Sequence, residues 1–451
     1  MSENKMGTMP VGRLLLSMSL PMIVSMLVQA LYNIVDSIFV AQLSEEALTA
    51  VSLAFPAQML TISVCTGTGV GMNAFLSRSL GEKKFRIANM TAGNGLFLAG
   101  ASYVVFVLIG VFLARPFFEY QTDIPAILED GIVYLRICMI ASFGIVFQVV
   151  FERLLQSTGR AALSMAVQLS GALINIVLDP ILIFGLLGCP AMGVAGAATA
   201  TVIGQICAGA LAFYLNMKYN REITLSQKFL KPDMRIISRI YAVGIPSIIM
   251  ASVGSVMIFG LNKILIQYSA TATAVLGVYF KLQSFAFMPV FGLNNGMVPI
   301  LSYNYGARNP QRMKSTINYG TVYAVGIMLA AFAIFQIFTP QLFGFFNASE
   351  SMLAIGVPAL RKISLSFLFA GFCVCTISVC QALGHGFMSL SVSFVRQIVV
   401  LLPSAYALSL FGGLHAIWWA FAIAEVVSVV QCFLFLRWIF DHDIKKLTAA
   451  V

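Results

Sequence analysis

Apolar residues run through this chain in long stretches that lack the two-residue alternation of a half-buried strand, and clusters of turn-forming and charged residues separate them. Lipid offers no partner to a backbone N–H or C=O, so such runs must close their hydrogen bonds internally as helices. Cutting at the polar clusters predicts twelve spans, near 14–40, 48–77, 88–113, 128–155, 161–186, 193–217, 239–268, 272–304, 313–338, 352–380, 387–411 and 413–438. A bilayer-crossing helix needs roughly 20 residues, so the longer spans imply tilt or extension beyond the hydrocarbon. The predicted fold class is an all-α integral membrane protein with twelve transmembrane helices.

Composition and charge placement sharpen this. Of the 451 residues, 59% are hydrophobic and 10% charged, which excludes a soluble enzyme or a soluble nucleic-acid binder despite the net charge of +10. With the N-terminus inside, the expected cytoplasmic segments carry 20 of the 27 Lys and Arg residues, Arg153 among them, whereas the opposite side holds only Arg115 beside several acids. That bias follows the positive-inside rule with both termini cytoplasmic and an even number of spans, and it leaves the basic loops no need of nucleic acid. The apolar run after Arg13 is longer than a signal-peptide core and is retained as the first helix. Eight cysteines scattered through apolar stretches read as small buried residues, not as a disulfide or metal framework.

The chain repeats itself. At an offset of 225, Gly67, Gly71, Met72, Leu76, Ser77 and Gly81 meet Gly292, Gly296, Met297, Leu301, Ser302 and Gly306. Gly131, Arg136, Phe147, Gln156 and Gly159 meet Gly356, Arg361, Phe372, Gln381 and Gly384 at the same offset, and Pro21 meets Pro246. Two six-helix lobes follow, 1–217 and 239–451, joined by a charged cytoplasmic linker at 218–238. An even number of spans per repeat relates the lobes by a pseudo-two-fold axis along the membrane normal, as in transporters that rock two lobes about a central site. Gly67-x-Gly69-x-Gly71 lies within an apolar run and reads as a close-packing face, not a phosphate loop.

Pro21 followed by Tyr32-Asn33-x-x-Asp36, the Gly81-Glu82-Lys83-Lys84 and Gly306-Ala307-Arg308-Asn309 loops, and Asn175-x-x-x-Asp179-Pro180 together resemble the MATE (multidrug and toxic compound extrusion) transporters over essentially the whole chain. Read from the residues alone, Asp36 and Asp179 are expensive at membrane depth and both lie an expected 9–12 Å below the outer surface. Asn175 is one turn from Asp179, and Tyr32 and Asn33 lie within a turn of Asp36. Such an oxygen cluster can hold a monovalent cation or share a proton. The resemblance implies a coupling-ion site for H+ or Na+ at Asp36, Asn175 and Asp179, with Thr201 a weaker match that competes with Thr199. It also implies that the first helix bends or straightens at Pro21 with ion occupancy. A fixed kink is the alternative there, since proline removes a helix hydrogen bond in either case.

The second half carries different chemistry. The counterparts of Asp36 and Asp179 are Leu261 and Ser404, so the carboxylate pair is not duplicated. Arg396 and Glu425 fall near the midplane of adjacent helices and are expected to form an ion pair. Lys281 is expected to join them or line the cavity, and a rival reading gives Lys263, Lys281 and Arg396 to anionic parts of a substrate. Met59, Met72, Met257, Met288 and Met297 suit an adaptable apolar cavity, although ordinary packing explains most of them.

The expected function is a secondary active exporter of the inner membrane, monomeric, with no cofactor beyond H+ or Na+ and no catalytic residue. It antiports amphipathic, cationic, drug-like molecules outward and so confers antibiotic resistance. The alternative is a lipid-linked sugar or anionic-substrate flippase of the same superfamily, which would need a basic cavity around Lys263, Lys281 and Arg396. No Walker motif points to ATP, and no nucleophile–base pair points to an enzyme.

Overall fold

The computed structural model describes residues 4–346 and 348–449. Among them there is no strand. The spans are α1 Val11–Ala41, α2 Glu45–Gly81, α3 Phe85–Glu119, a bent α4 made of Pro125–Ile140 and Phe143–Ser157, α5 Ala161–Phe184 and α6 Val194–Tyr219. The second six are α7 Met234–Leu265, α8 Ala270–Gly306, α9 Pro310–Ile337, α10 Glu350–Leu383, α11 Gly386–Ile417 and α12 Trp419–Leu447. Counting the pair bent by 43° in α4 as one span gives the expected twelve. Several helices extend beyond their predicted ends. Arg153, counted among the cytoplasmic basic residues, is buried near the end of α4, against Gly69.

The repeat reaches the level of single contacts. Helices α2 and α8 have 37 residues each at the 225 offset, and each starts on a serine cap: Ser44 Oγ accepts from the Ala47 N–H and Ser269 Oγ from the Ala272 N–H, both at 3.0 Å. Ser77 Oγ donates to the Ser157 carbonyl at 3.0 Å, and Ser302 Oγ to the Ala382 carbonyl at 2.8 Å. Lys83 and Arg308 occupy the same left-handed turn, at φ 58° and 53°. Phe118 fills the space where Gly131 lacks a side chain, as Phe343 does at Gly356. Met72 and Met297 fill the equivalent spaces at Gly95 and Gly320; both are fully buried, so they are packing residues and not part of an open cavity.

Contacts group the chain into Val24–Gly244 and, together, Met1–Ile23 with Ile245–Val451. These boundaries fall inside α1, two residues after Pro21, and inside α7, just before Pro246, and not in the 218–238 segment. In the first unit, the start of α7 lies on α2 so closely that a Cβ at Gly71 would stand 2.0 Å from the Ile240 carbonyl oxygen. In the second, the start of α1 lies on α8, where Ser19 Oγ donates to the Leu293 carbonyl at 3.1 Å and leaves Gly296 no room for a side chain. The 218–238 segment is tied to α3 by Asn94, whose Oδ1 accepts from the Asp233 N–H at 2.8 Å.

Candidate functional site

Asp36 and Asp179 each stand five residues before the end of their helices, α1 at Ala41 and α5 at Phe184. At 1.5 Å per residue this is about 7–8 Å of helix, shallower than the expected 9–12 Å but still equal for the two. Asp179 is fully buried and Asp36 partly so. Their carboxyls face each other within hydrogen-bonding reach. Two carboxylates this close repel when both are charged, and a shared proton or an intervening monovalent cation relieves the repulsion. Asp36 Oδ1 is buried with no hydrogen-bond partner, an acceptor left open beside its neighbour carboxyl.

One turn from Asp179 on the same face of α5, the Asn175 side chain bridges α5 to α6. With its amide turned to satisfy both ends, Asn175 donates to Asp179 Oδ2 at 3.3 Å and accepts from Thr201 Oγ1 and the Thr201 N–H at 3.2 Å. The choice between two threonines is thereby resolved in geometry: Thr201 faces the cluster, whereas Thr199 Oγ1 turns back to the Ala195 carbonyl at 2.7 Å. Tyr32, one turn before Asp36 on α1, is close enough to both carboxyls to feel their charge. Asn33 is exposed, and the hydrogen bond found at it goes to its carbonyl, from Ser37 Oγ at 2.8 Å; the structure does not bring its amide into the cluster.

Sequence reasoning missed three neighbours. Gln58 on α2 donates to the Tyr134 hydroxyl at 3.2 Å and to Cys138 Sγ at 3.4 Å, and Tyr134 and Cys138 both lie near Asp36. They lie on apolar stretches of α2 and α4, and only the 76- to 80-residue closure between the two helices joins them. The one available signal was Gln58 itself, an amide within the apolar run of α2.

In the other unit, Arg396 Nη1 and Glu425 Oε2 come to 3.7 Å, so the expected pair is present. They sit on a cavity of about 110 Å³ whose walls include Met257, Tyr279, Phe280 and Gln283. Lys281 does not join them: it is exposed and lies over the Phe346 ring at 5.8 Å. Lys263 is likewise exposed, over Phe259 at 5.6 Å. Pro21 lies within the continuous helix α1.

The geometry can be set beside known proteins. The sequence profile of the MatE family matches residues 21–181 and 246–407, two blocks that begin on the paired prolines. The Multidrug export protein MepA of Staphylococcus aureus (strain MRSA252) is 26% identical over 443 residues, covering 96% of this chain and 95% of its own. A solved structure described as the outward-facing conformation of a multidrug resistance MATE family transporter of the MOP superfamily superposes with a TM-score of 0.90 at 27% identity, over 100% of this chain and 99% of its own. Another, a MOP superfamily transporter from Pyrococcus furiosus whose description reports a binding pocket of reverse polarity, superposes at 0.87 with 27% identity, over 98% of each chain. With its profile matched twice, in the two halves of a duplicated, all-helical, multi-pass membrane fold, this chain belongs to the MatE family of MATE transporters.

Proposed function

We propose that the chain is a secondary active multidrug exporter that moves amphipathic, cationic compounds outward by alternating access, in exchange for H+ or Na+ at Asp36 and Asp179. One observation carries the coupling role: two carboxyls face each other at membrane depth, one of them with an open oxygen, and Asn175 ties the second to Thr201 on a third helix. An ion entering there neutralises the pair and draws α1 toward α5. Loss of the ion lets them part. That difference biases α1, where Pro21 leaves one helix hydrogen bond unmade and so lowers the cost of bending. The export role and the drug-like substrate class draw on what the relatives are named for.

The protein works as a monomer in the inner membrane with both termini cytoplasmic, as the basic connections favour. Its partners are the bilayer and small amphipathic molecules, and its only bound cofactor is the coupling ion. The flippase alternative has lost its motivating feature, a basic cavity, since Lys263 and Lys281 are exposed and Glu425 stands 3.7 Å from Arg396 and balances its charge.

The test is efflux of rhodamine 123, a fluorescent cation, from proteoliposomes under an imposed proton or sodium gradient. Efflux should follow one gradient in the wild type and lose that dependence in Asp36→Asn and in Asp179→Asn. Equal gradient-driven efflux in all three proteins would remove the coupling role.

A further inference from the structure

The cavity at Arg396 and Glu425 stands where the repeat places the counterpart of the carboxylate cluster. At the 225 offset Tyr32 corresponds to Met257 and Gln58 to Gln283, and both counterparts line this cavity. The polar residues of the first cluster are gone: Asn175 and Thr201 correspond to Val400 and Val426. New charge has appeared beside them, with Arg396 one turn before Val400 and Glu425 next to Val426. Arg396 and Gln397 are consecutive, and both reach the cavity wall from a π-helical stretch at Val395–Leu401. Such turns often mark functional positions.

Arg396 and Glu425 are close enough to balance each other's charge, but the polar groups of this cavity leave hydrogen-bonding capacity unused. Glu425 is 6% exposed, and its Oε1 is buried without a hydrogen-bond partner, as is Gln397 Oε1. Among the described residues the Arg396 guanidinium makes no hydrogen bond, and its 3.7 Å approach to Glu425 is too long to be one. Tyr279, Phe280, Phe287 and Phe421 give the rest of the wall an aromatic part, beside aliphatic residues and the polar Gln283 and Ser366. A ligand with only a cation would face Arg396, and one with only an anion would face Glu425. A ligand with both would give each its complement in charge-assisted hydrogen bonds, with a ring against the aromatic wall.

We propose that this cavity is a second binding site that takes aromatic zwitterions, holding a carboxylate at Arg396 and an amine N–H at Glu425 and Gln397. A volume of about 110 Å³ admits a substituted ring and not a whole drug-sized molecule, so the rest of the ligand extends outward. The site widens the substrate range from cations to amphoteric compounds. It rests on the exporter reading for its purpose, but not for its test.

The experiment is equilibrium binding to the purified full-length protein, read by fluorescence polarisation, with two dyes that share one ring system. Rhodamine 110 carries a free carboxylate and rhodamine 123 is its methyl ester. Arg396→Gln combined with Glu425→Gln removes both charges without leaving either buried alone. This variant should weaken rhodamine 110 by about tenfold or more while rhodamine 123 changes by less than about twofold, the loss expected when charge-assisted hydrogen bonds vanish. An unchanged rhodamine 123 affinity also reports an intact fold. The proposal is overturned if the variant keeps rhodamine 110 affinity, if both dyes weaken together, or if the wild type does not bind rhodamine 110. No gradient is present, so failure of gradient-driven rhodamine 123 efflux is a separate result that bears on the exporter reading alone.

Discussion

The two halves of the chain share a packing skeleton and differ in what that skeleton holds. Phe118 against Gly131 and Met72 against Gly95 recur 225 residues later as Phe343 against Gly356 and Met297 against Gly320. Yet Asp36, Asn175, Asp179 and Thr201 have become Leu261, Val400, Ser404 and Val426. Sterics explains the first fact, since a Cβ forced within about 2–3 Å of a neighbour has no low-energy solution in a close-packed interior. Electrostatics explains the second, because a buried polar cluster need only be compensated as a whole, and its members can move by a turn or change sign. Duplication has conserved the frame and left the chemistry free to divide.

The steepest break should come from grafting the first site onto the second. Leu261→Asp with Ser404→Asp puts two carboxyls where Val400 and Val426 offer no partner. At about 3 kcal/mol for each charge inside the bilayer, the double variant should lose folded protein, read as monodisperse yield after extraction. Normal yield would mean that the second half accepts the cluster and that the two sites are interchangeable.

Gly71→Ala and Gly296→Ala probe the frame on both sides. The added Cβ meets the backbone oxygen of Ile240 at 2.0 Å in one case and Ser19 Oγ at 2.5 Å and N at 2.8 Å in the other. Each should lower stability by about 1–3 kcal/mol, the first more because a carbonyl cannot rotate away. Thermal unfolding followed by tryptophan fluorescence measures both.

A finer contrast separates the two threonines of α6. Thr201→Val removes the hydroxyl that meets Asn175 and should weaken the coupling ion about fivefold, the equivalent of one hydrogen bond of about 1 kcal/mol. Thr199→Val should leave ion dependence alone, because its hydroxyl only returns to the Ala195 carbonyl.

The smallest effect lies in the turn after α2. Burial works against the charge of Glu82, but Lys84 at 2.7 Å and Arg78 at 2.9 Å outweigh it and hold this carboxyl below its ordinary range. A lowered folded value adds stability that is present above the unfolded value of about 4.3 and is lost as pH falls through the folded one. The counterpart is Ala307, so Glu82→Ala imitates the other half. It should cost at most about 0.5 kcal/mol at neutral pH and nothing in strong acid, as solvent and salt screen such a pair.

The span pattern, the duplication and the Asp36–Asp179 cluster were legible because each rests on periodicity or on the rarity of charge in apolar runs. The azimuth of single residues on long helices was not legible. Lys281 shares α8 with the cavity-lining Gln283, and two residues of helix turn it outward. The same limit hid Gln58, Tyr134 and Cys138, whose meeting depends on how α2 packs against α4. Arg153 lay within the predicted fourth span, but its burial, in a network with Gln156, was not legible because it depends on how α4 packs against α2. The grouping of the start of α1 with the second half also escaped notice, since local sequence carries no record of a contact 274 residues away such as Ser19 with Leu293.

The central claim is that the two sites divide the labour, the carboxyl pair coupling to the ion and the Arg396–Glu425 cavity selecting substrate. Efflux of both rhodamines from proteoliposomes, under the gradient that drives the wild type, tests it in Asp36→Asn and in the combined Arg396→Gln, Glu425→Gln variant. The account predicts that Asp36→Asn loses the gradient dependence of both dyes, while the combined variant keeps driven rhodamine 123 efflux and loses that of rhodamine 110. Gradient dependence surviving in Asp36→Asn, or vanishing for both dyes in the combined variant, would contradict it.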